Sequence, residues 1–125
     1  MPYIKIMNLS NDKAVKVAKN VIGDIAKISE VDESKFHFFN CGDSIFENGT
    51  DSLVYIEIVW YARSTAQMQS VAKLFCDEIK KHGSYYNVSV VFRDIPPLNN
   101  HYINGEQYKR PQNWKKPKFR IDTLK

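Results

Sequence analysis

The most restrictive feature of this chain is an arrangement written twice: an extended apolar run that feeds an amphipathic helix and is followed by another extended run. The clearer copy is the second. Val54, Ile56, Ile58 and Trp60 alternate with Tyr55, Glu57, Val59 and Tyr61 between Leu53 and Ala62. A period of two with one uniformly apolar side predicts a strand whose first face carries helices and whose second meets water or another subunit. Arg63 comes next, then Ser64-Thr65-Ala66-Gln67, the Ser-x-x-Gln spacing of a capping box. Met68, Val71, Ala72, Phe75 and Ile79 form the buried stripe of the helix it opens. Lys80, Lys81 and His82 suit the helix's negative end, and Gly83 is expected to supply a left-handed stop. Val88, Val90 and Phe92 then mark a strand over Asn87–Arg93.

The first copy is looser. Pro2 precedes a short strand containing Tyr3, Ile4, Lys5, Ile6 and Met7. Ser10 and Asn11 are candidate N-caps. Ala14, Val17, Ala18, Val21, Ile25 and Ile28 recur at steps of three and four, the stripe of a helix over Asp12–Ile28. Its lysines, Lys13, Lys16, Lys19 and Lys27, lie off the stripe and read as a solvated side. After a charged turn over Ser29–Lys35, the aromatic run Phe36–Asn40 reads as a second strand. Cys41 to Ser52 is a loop by composition, with Ile45 and Phe46 as apolar residues in need of cover. Ile95-Pro96-Pro97 ends the fourth strand, and Asn104-Gly105 signals the turn of a short terminal hairpin. The expected architecture is α+β: tandem β-α-β units, a four-stranded sheet, two helices on one face and a C-terminal hairpin. The apolar but uncovered opposite face points to assembly.

Charge divides the chain. Residues 1–108 hold 11 Lys and Arg against 13 Asp and Glu, a net of −2. Residues 109–125 hold seven against Asp122 alone, a net of +6. The basic character therefore belongs to a tail, with Trp114 and Phe119 among its cations, and not to the body. A nucleic-acid footprint belongs on a folded surface, so nucleic-acid binding by the body is disfavoured. The chain is read as one domain over 1–108 and a basic tail over 109–125, the tail a solvated or subunit-wrapping extension. No apolar run is long enough to cross a bilayer, no signal-peptide pattern opens the chain, and Cys41 and Cys76 lack ligand spacing. The expectation is a cytoplasmic protein with reduced thiols. His37, His82 and His101 are scattered, so no metal site is expected, and no phosphate-cradling glycine loop or Ser/His/Asp order is present.

Pro2 has two readings. Trimming of Met1 would expose a secondary amine, whose class titrates at about 7.7–8.0, lower when buried, in the range of a general base or nucleophile. Alternatively, proline simply starts a strand where its missing N–H costs nothing.

Pro2 opening a strand, the doubled β-α-β plan and the length resemble the tautomerase superfamily. That group includes 4-oxalocrotonate tautomerase, macrophage migration inhibitory factor, and the cis-3-chloroacrylic acid dehalogenase and malonate semialdehyde decarboxylase types. More closely, Tyr55-Ile56-Glu57-Ile58-Val59-Trp60-Tyr61-Ala62-Arg63, Val90-Val91-Phe92 and Tyr102-Ile103-Asn104-Gly105-Glu106 look like a bacterial branch of unknown function. The similarity spans about residues 2–108. It implies a cofactor-free homotrimer with pockets at subunit boundaries, Pro2 as acid/base catalyst, and a small 2-oxo acid or related carboxylate as substrate. It further implies a carboxylate-holding role for Arg63. Trp60 stands where the dehalogenase type has a second arginine, and Tyr102 falls near that type's water-activating carboxylate. Hydrolytic dehalogenation is thereby disfavoured and proton transfer left open; a shifted alignment brings Asn104 or Glu106 to the latter position. Two bland roles compete: Arg63 pairing with Glu57 or Asp94, and Tyr102 as a subunit-contact aromatic. Two other classes stand beside the enzyme: a non-catalytic trimeric scaffold or binding module, and an RNA- or anion-binding ferredoxin-like domain that uses the tail.

Overall fold

The computed structural model describes residues 2–42, 53–84, 86–95 and 101–108. The chain runs β1 (Tyr3–Met7), α1 (Asn11–Ser29), a 3-10 turn (Glu33–Lys35), β2 (His37–Asn40), β3 (Leu53–Tyr61), α2 (Thr65–Lys80), β4 (Asn87–Ile95), β5 (Tyr102–Ile103) and β6 (Glu106–Gln107). The first four strands form one sheet in the order β2-β1-β3-β4. Each β-α-β unit contributes a parallel pair, β1 with β2 and β3 with β4, and the units meet antiparallel where β1 pairs β3. This is the expected tandem plan. The basic segment 109–125, Pro96, Pro97, Ile45 and Phe46 lie outside the described residues.

The alternation seen in the sequence decides which face carries the helices. Ile4, Ile6, Val54, Ile56, Ile58 and Trp60 are buried and join Val17, Val21 and Ile25 of α1 and Val71, Phe75 and Ile79 of α2 in one cluster. A period-two face meeting two period-3.6 stripes is what buries all three without leaving unpaired backbone polar groups. The other sheet face carries Tyr3, Lys5, Tyr55, Glu57, Val59 and Arg93, aligned by the pairings Tyr3 with Val59, Lys5 with Glu57 and Val59 with Arg93. Glu57 organises its polar part. It accepts from Tyr55 Oη at 3.0 Å and Arg93 Nε at 2.9 Å, and lies 3.7 Å from Lys5 Nζ. The bond from Arg93 leads the causes that hold the Glu57 carboxyl below its ordinary range.

Helix ends follow local chemistry, with one correction. Ser10 caps α1 by accepting from the Lys13 N–H, and the full capping box of Ser64 and Gln67 opens α2. Gly83, expected to provide a left-handed stop, does not: α2 ends on Lys81 with φ −67° and ψ −24°, and its last amides bond back in tight turns to Glu78, Ile79 and Lys80. The left-handed cap belongs to α1, where Glu30 has φ 57° and its N–H reaches the carbonyls of Ala26 and Lys27. His82 lies 3.2 Å from Glu78 Oε2, an i,i+4 pairing at the helix end. In the hairpin, Asn104 and Gly105 have φ 54° and 81°, the two positive values that a two-residue turn of the primed kind requires.

Candidate functional site

Strand directions gather three of the four candidate residues, Pro2, Trp60 and Arg63, at one edge of the sheet. β1 begins where β3 ends, because the two run antiparallel with Tyr3 opposite Val59; continuing that register sets Pro2 level with Trp60. β2 begins beside the same point, and its first amide, His37 N–H, donates to the Pro2 carbonyl at 3.1 Å. Pro2 is buried there. Arg63 stands two residues past the end of β3.

Arg63 is 8% exposed, and its hydrogen bonds go to backbone carbonyls: Nε to Ser29 O at 3.1 Å, Nη1 to Tyr61 O at 2.9 Å and to Ala62 O at 3.3 Å. Gln67 Nε2 adds a bond to Ile28 O at 2.9 Å. Two side chains at the start of α2 therefore close the carbonyl end of α1, which leaves its last C=O groups without helical partners. A cation suits that negative end. Burial lowers the guanidinium's pKa, and the charges of Glu30 and Asp94 oppose that shift. Glu57, one of the expected acidic neighbours, is instead engaged with Arg93 and Lys5. Among the described residues the Nη2 group takes no hydrogen bond, so one edge of the guanidinium is left over from its structural work.

Trp60 lies under Arg63, whose Cζ is 5.6 Å from the indole centroid. The indole is fully buried and stacks on Phe92 at 5.0 Å. Its Nε1 is a buried donor with no hydrogen-bond partner among the described residues. Tyr102 sits apart on the hairpin, 56% exposed, and no hydrogen bond or ring contact among the described residues joins it to Arg63 or Trp60. Pro2, Trp60 and Arg63 thus share one corner, and Tyr102 stands outside it.

The same edge holds a group that sequence spacing did not isolate. His101 is placed between two tyrosines, with Nε2 2.9 Å from Tyr3 Oη and Nδ1 3.5 Å from Tyr61 Oη. Its ring packs 4.9 Å from Tyr108, which stacks on Tyr61 at 6.3 Å, while Tyr3 leans on His37 at 5.8 Å. Burial lowers the His101 pKa, and the positive charge of the chain's amino terminus lowers it further. The bond to Tyr3 joins residues 98 positions apart, so no local motif announces it. The signal was topological: Tyr3 opens β1, Tyr61 closes β3, and only an antiparallel pairing brings those ends together.

Among the described residues, no group of three or more His, Cys, Asp or Glu side chains is arranged to hold a metal ion. No helix among them is long and apolar enough to cross a membrane. Comparison with known proteins accords with the doubled fold. The chain superimposes on a crystal structure of a domain of unknown function (DUF1904) from Sebaldella termitidis with a TM-score of 0.77, at 25% identity, covering 86% of this chain and 100% of that one. A macrophage migration inhibitory factor-like protein from Entamoeba histolytica gives a TM-score of 0.65 at 13% identity, with 82% and 95% of the two chains covered. A fused 4-OT, described as a wild-type asymmetric trimer, gives 0.68 at 13% identity, with 83% and 94% covered. At those identities the last two speak for the fold alone. No curated protein matches the sequence. The model of the family described as domain of unknown function (DUF1904) matches residues 1–107, and the chain belongs to that family, with a fold it shares with the macrophage migration inhibitory factor-like protein and the fused 4-OT.

Proposed function

We propose that this protein is a cofactor-free, cytoplasmic isomerase of the tautomerase kind, interconverting keto and enol forms of a small 2-oxo acid. The observation that carries this reading is Pro2 itself: a buried proline at the head of β1, in the same corner as Trp60 and Arg63. Removal of Met1 turns its nitrogen into a secondary amine. Such an amine is a base near neutral pH, and burial favours its neutral, proton-accepting form. The enolate that forms as a proton leaves carbon needs a cation or donor at its oxygen or at the neighbouring carboxylate. In this reading the unused edge of Arg63 supplies that charge, Trp60 backs the guanidinium with its ring, and Tyr102 reaches a pocket completed by a neighbouring subunit. The trimer described for the fused 4-OT supports a homotrimer here, and the open sheet face with Val59 and Arg93 is the surface it would cover. The body over 1–108 does the chemistry in this account, and 109–125 is an appended basic extension.

A second reading, a non-catalytic trimeric scaffold, is favoured by one observation: every hydrogen bond that Arg63 makes serves backbone carbonyls. Two measurements separate the readings. The mass of the mature protein from cells shows whether Met1 is gone; retention acylates the Pro2 nitrogen and leaves no base. Enol-to-ketone conversion of phenylpyruvate is then followed for the native protein, Pro2→Ala and Arg63→Ala. Loss in the Pro2 variant, by roughly a hundredfold or more, supports the isomerase. Equal behaviour of all three proteins assigns the scaffold.

A further inference from the structure

We propose that Tyr3, His101 and Tyr61 form a proton relay serving the oxygen side of the isomerisation, a second acid–base device beside Pro2. The inference rests on the isomerase reading above and adds to it the route taken by the second proton.

Keto–enol exchange moves two protons, one at carbon and one at oxygen. A single amine in a buried corner handles the first and is poorly placed for the second. The Tyr3–His101–Tyr61 array has the form that the second transfer needs. A neutral imidazole carries one N–H and one bare nitrogen. Here each nitrogen has its own hydroxyl partner, Tyr3 at 2.9 Å and Tyr61 at 3.5 Å. One tyrosine must therefore donate to the ring while the other accepts from it, and the array is directional. Passing a proton reverses the direction: the ring gives up its N–H to one phenol oxygen and takes a proton from the other phenol on its opposite nitrogen. No charge needs to reside on the imidazole at the end of the step.

The environment favours that neutral ring. Among the described residues, the groups facing His101 are the phenols of Tyr3, Tyr61 and Tyr108, with His37 behind Tyr3. None among them is a carboxylate that would hold a proton on the ring. Tyr3 is also the chain neighbour of Pro2, which sets one end of the array at the head of β1.

In the ketone-forming direction the step balances as follows. The ammonium form of Pro2 gives a proton to the enol carbon, the C=C pair forming the new C–H bond. The oxygen lone pair re-forms C=O as the enol O–H bond breaks. That proton enters the relay at one hydroxyl, the imidazole exchanges tautomers, and the far hydroxyl releases a proton that restores the Pro2 ammonium directly or through solvent. Nothing is oxidised or reduced.

The experiment uses full-length mature protein of verified mass. Phenylpyruvate enol-to-ketone turnover is measured against pH for the native chain, Pro2→Ala, His101→Gln, Tyr3→Phe and Tyr61→Phe. Glutamine keeps hydrogen bonds to both phenols but cannot exchange tautomers. The expected result for His101→Gln is a fall in kcat of roughly a hundredfold with KM nearly unchanged, together with loss of the acidic limb of the pH profile. That limb arises because a doubly protonated ring donates at both nitrogens and conducts nothing. Each phenylalanine variant should lower kcat in the same sense. Nitrogen-15 spectra of His101 supply a readout independent of turnover, and a neutral ring held in one dominant tautomer, released in Tyr3→Phe, is expected. If Pro2→Ala is inactive while His101→Gln keeps native kcat and pH profile, the relay is wrong and the isomerase stands. If Pro2→Ala is as active as the native chain, or the native protein turns over no enol, the isomerase reading falls and the relay with it. A His101 ring that is doubly protonated in the native protein at the pH of full turnover also overturns the relay.

Discussion

Replacing Arg63 with alanine tests whether the guanidinium holds the fold together or works on a ligand. Its three hydrogen bonds end on the carbonyls of Ser29, Tyr61 and Ala62, at 8% exposure of the residue. A bond from a charged donor contributes about 1.5–3 kcal/mol, and a buried acceptor left unsatisfied costs about 1–3 kcal/mol. The 3.3 Å bond to Ala62 shares Nη1 with Tyr61 and adds little. Water reaching the space vacated by the side chain recovers part of the loss. The net expectation for Arg63→Ala is a destabilisation of about 3 kcal/mol, a fall in Tm of roughly 10 °C or more for a domain of this size. Arg63→Lys should keep the charge at the end of α1 but lose the planar fork, and so restore less than half. The assay is urea unfolding followed by circular dichroism, at one fixed protomer concentration because assembly adds to apparent stability. A loss below about 1 kcal/mol would refute the reasoning, since it would mean those carbonyls are content with water. Should Arg63→Ala keep its stability yet lose turnover, the guanidinium belongs to the ligand and not to α1.

Further expectations concern single groups. Trp60→Phe removes a buried donor that has no partner among the described residues; relief of about 1–3 kcal/mol offsets the lost ring volume, so the net change should stay within about 1 kcal/mol by urea unfolding. Trp60→Ala, by contrast, should cost about 3–5 kcal/mol. Glu30→Gly should stabilise by about 1 kcal/mol in the same measurement, because Glu30 occupies the left-handed region at φ 57°, where a Cβ is penalised. Ser64→Ala should cost about 1 kcal/mol by removing the acceptor of the α2 capping box. Glu57 has a folded pKa below its unfolded value, so the stability it contributes is present above the ordinary glutamate range and is lost as pH falls through the folded value. Urea titrations from neutral pH downward should accordingly show a native decline in acid that Glu57→Gln lessens, with the variant less stable at neutral pH.

The elements and their order were legible because each depends on neighbours in the chain. Alternation from Val54 to Trp60, the stripe from Ala14 to Ile25 and the Ser64–Gln67 box are local patterns, and the strands and helices form where those patterns predict. Gly83 shows the limit of such reasoning: a glycine just past a helix permits a left-handed stop without requiring one, and α2 ends in tight turns. The chemistry of the sheet edge was less legible. Pro2 and Arg63 were conspicuous as residue types, but of the partners the sequence offered for Arg63, Asp94 acts on it by charge and Glu57 is engaged elsewhere, while the guanidinium's hydrogen bonds go to the backbone carbonyls of Ser29, Tyr61 and Ala62. His101 stood out only as one of three scattered histidines, because its partners lie 98 and 40 positions away.

What the amino-acid order alone determined is the pair of β-α-β units and which side of each strand is apolar, since period-two and period-3.6 burial are properties of neighbouring residues. What the tertiary structure decided is the antiparallel meeting of β1 with β3. That pairing sets the start of one unit against the end of the other, and so puts Pro2, Trp60, Arg63 and the Tyr3–His101–Tyr61 array at a single edge. The physical reason is that hydrogen bonds between strands and the packing of two helices on one face act between distant parts of the chain.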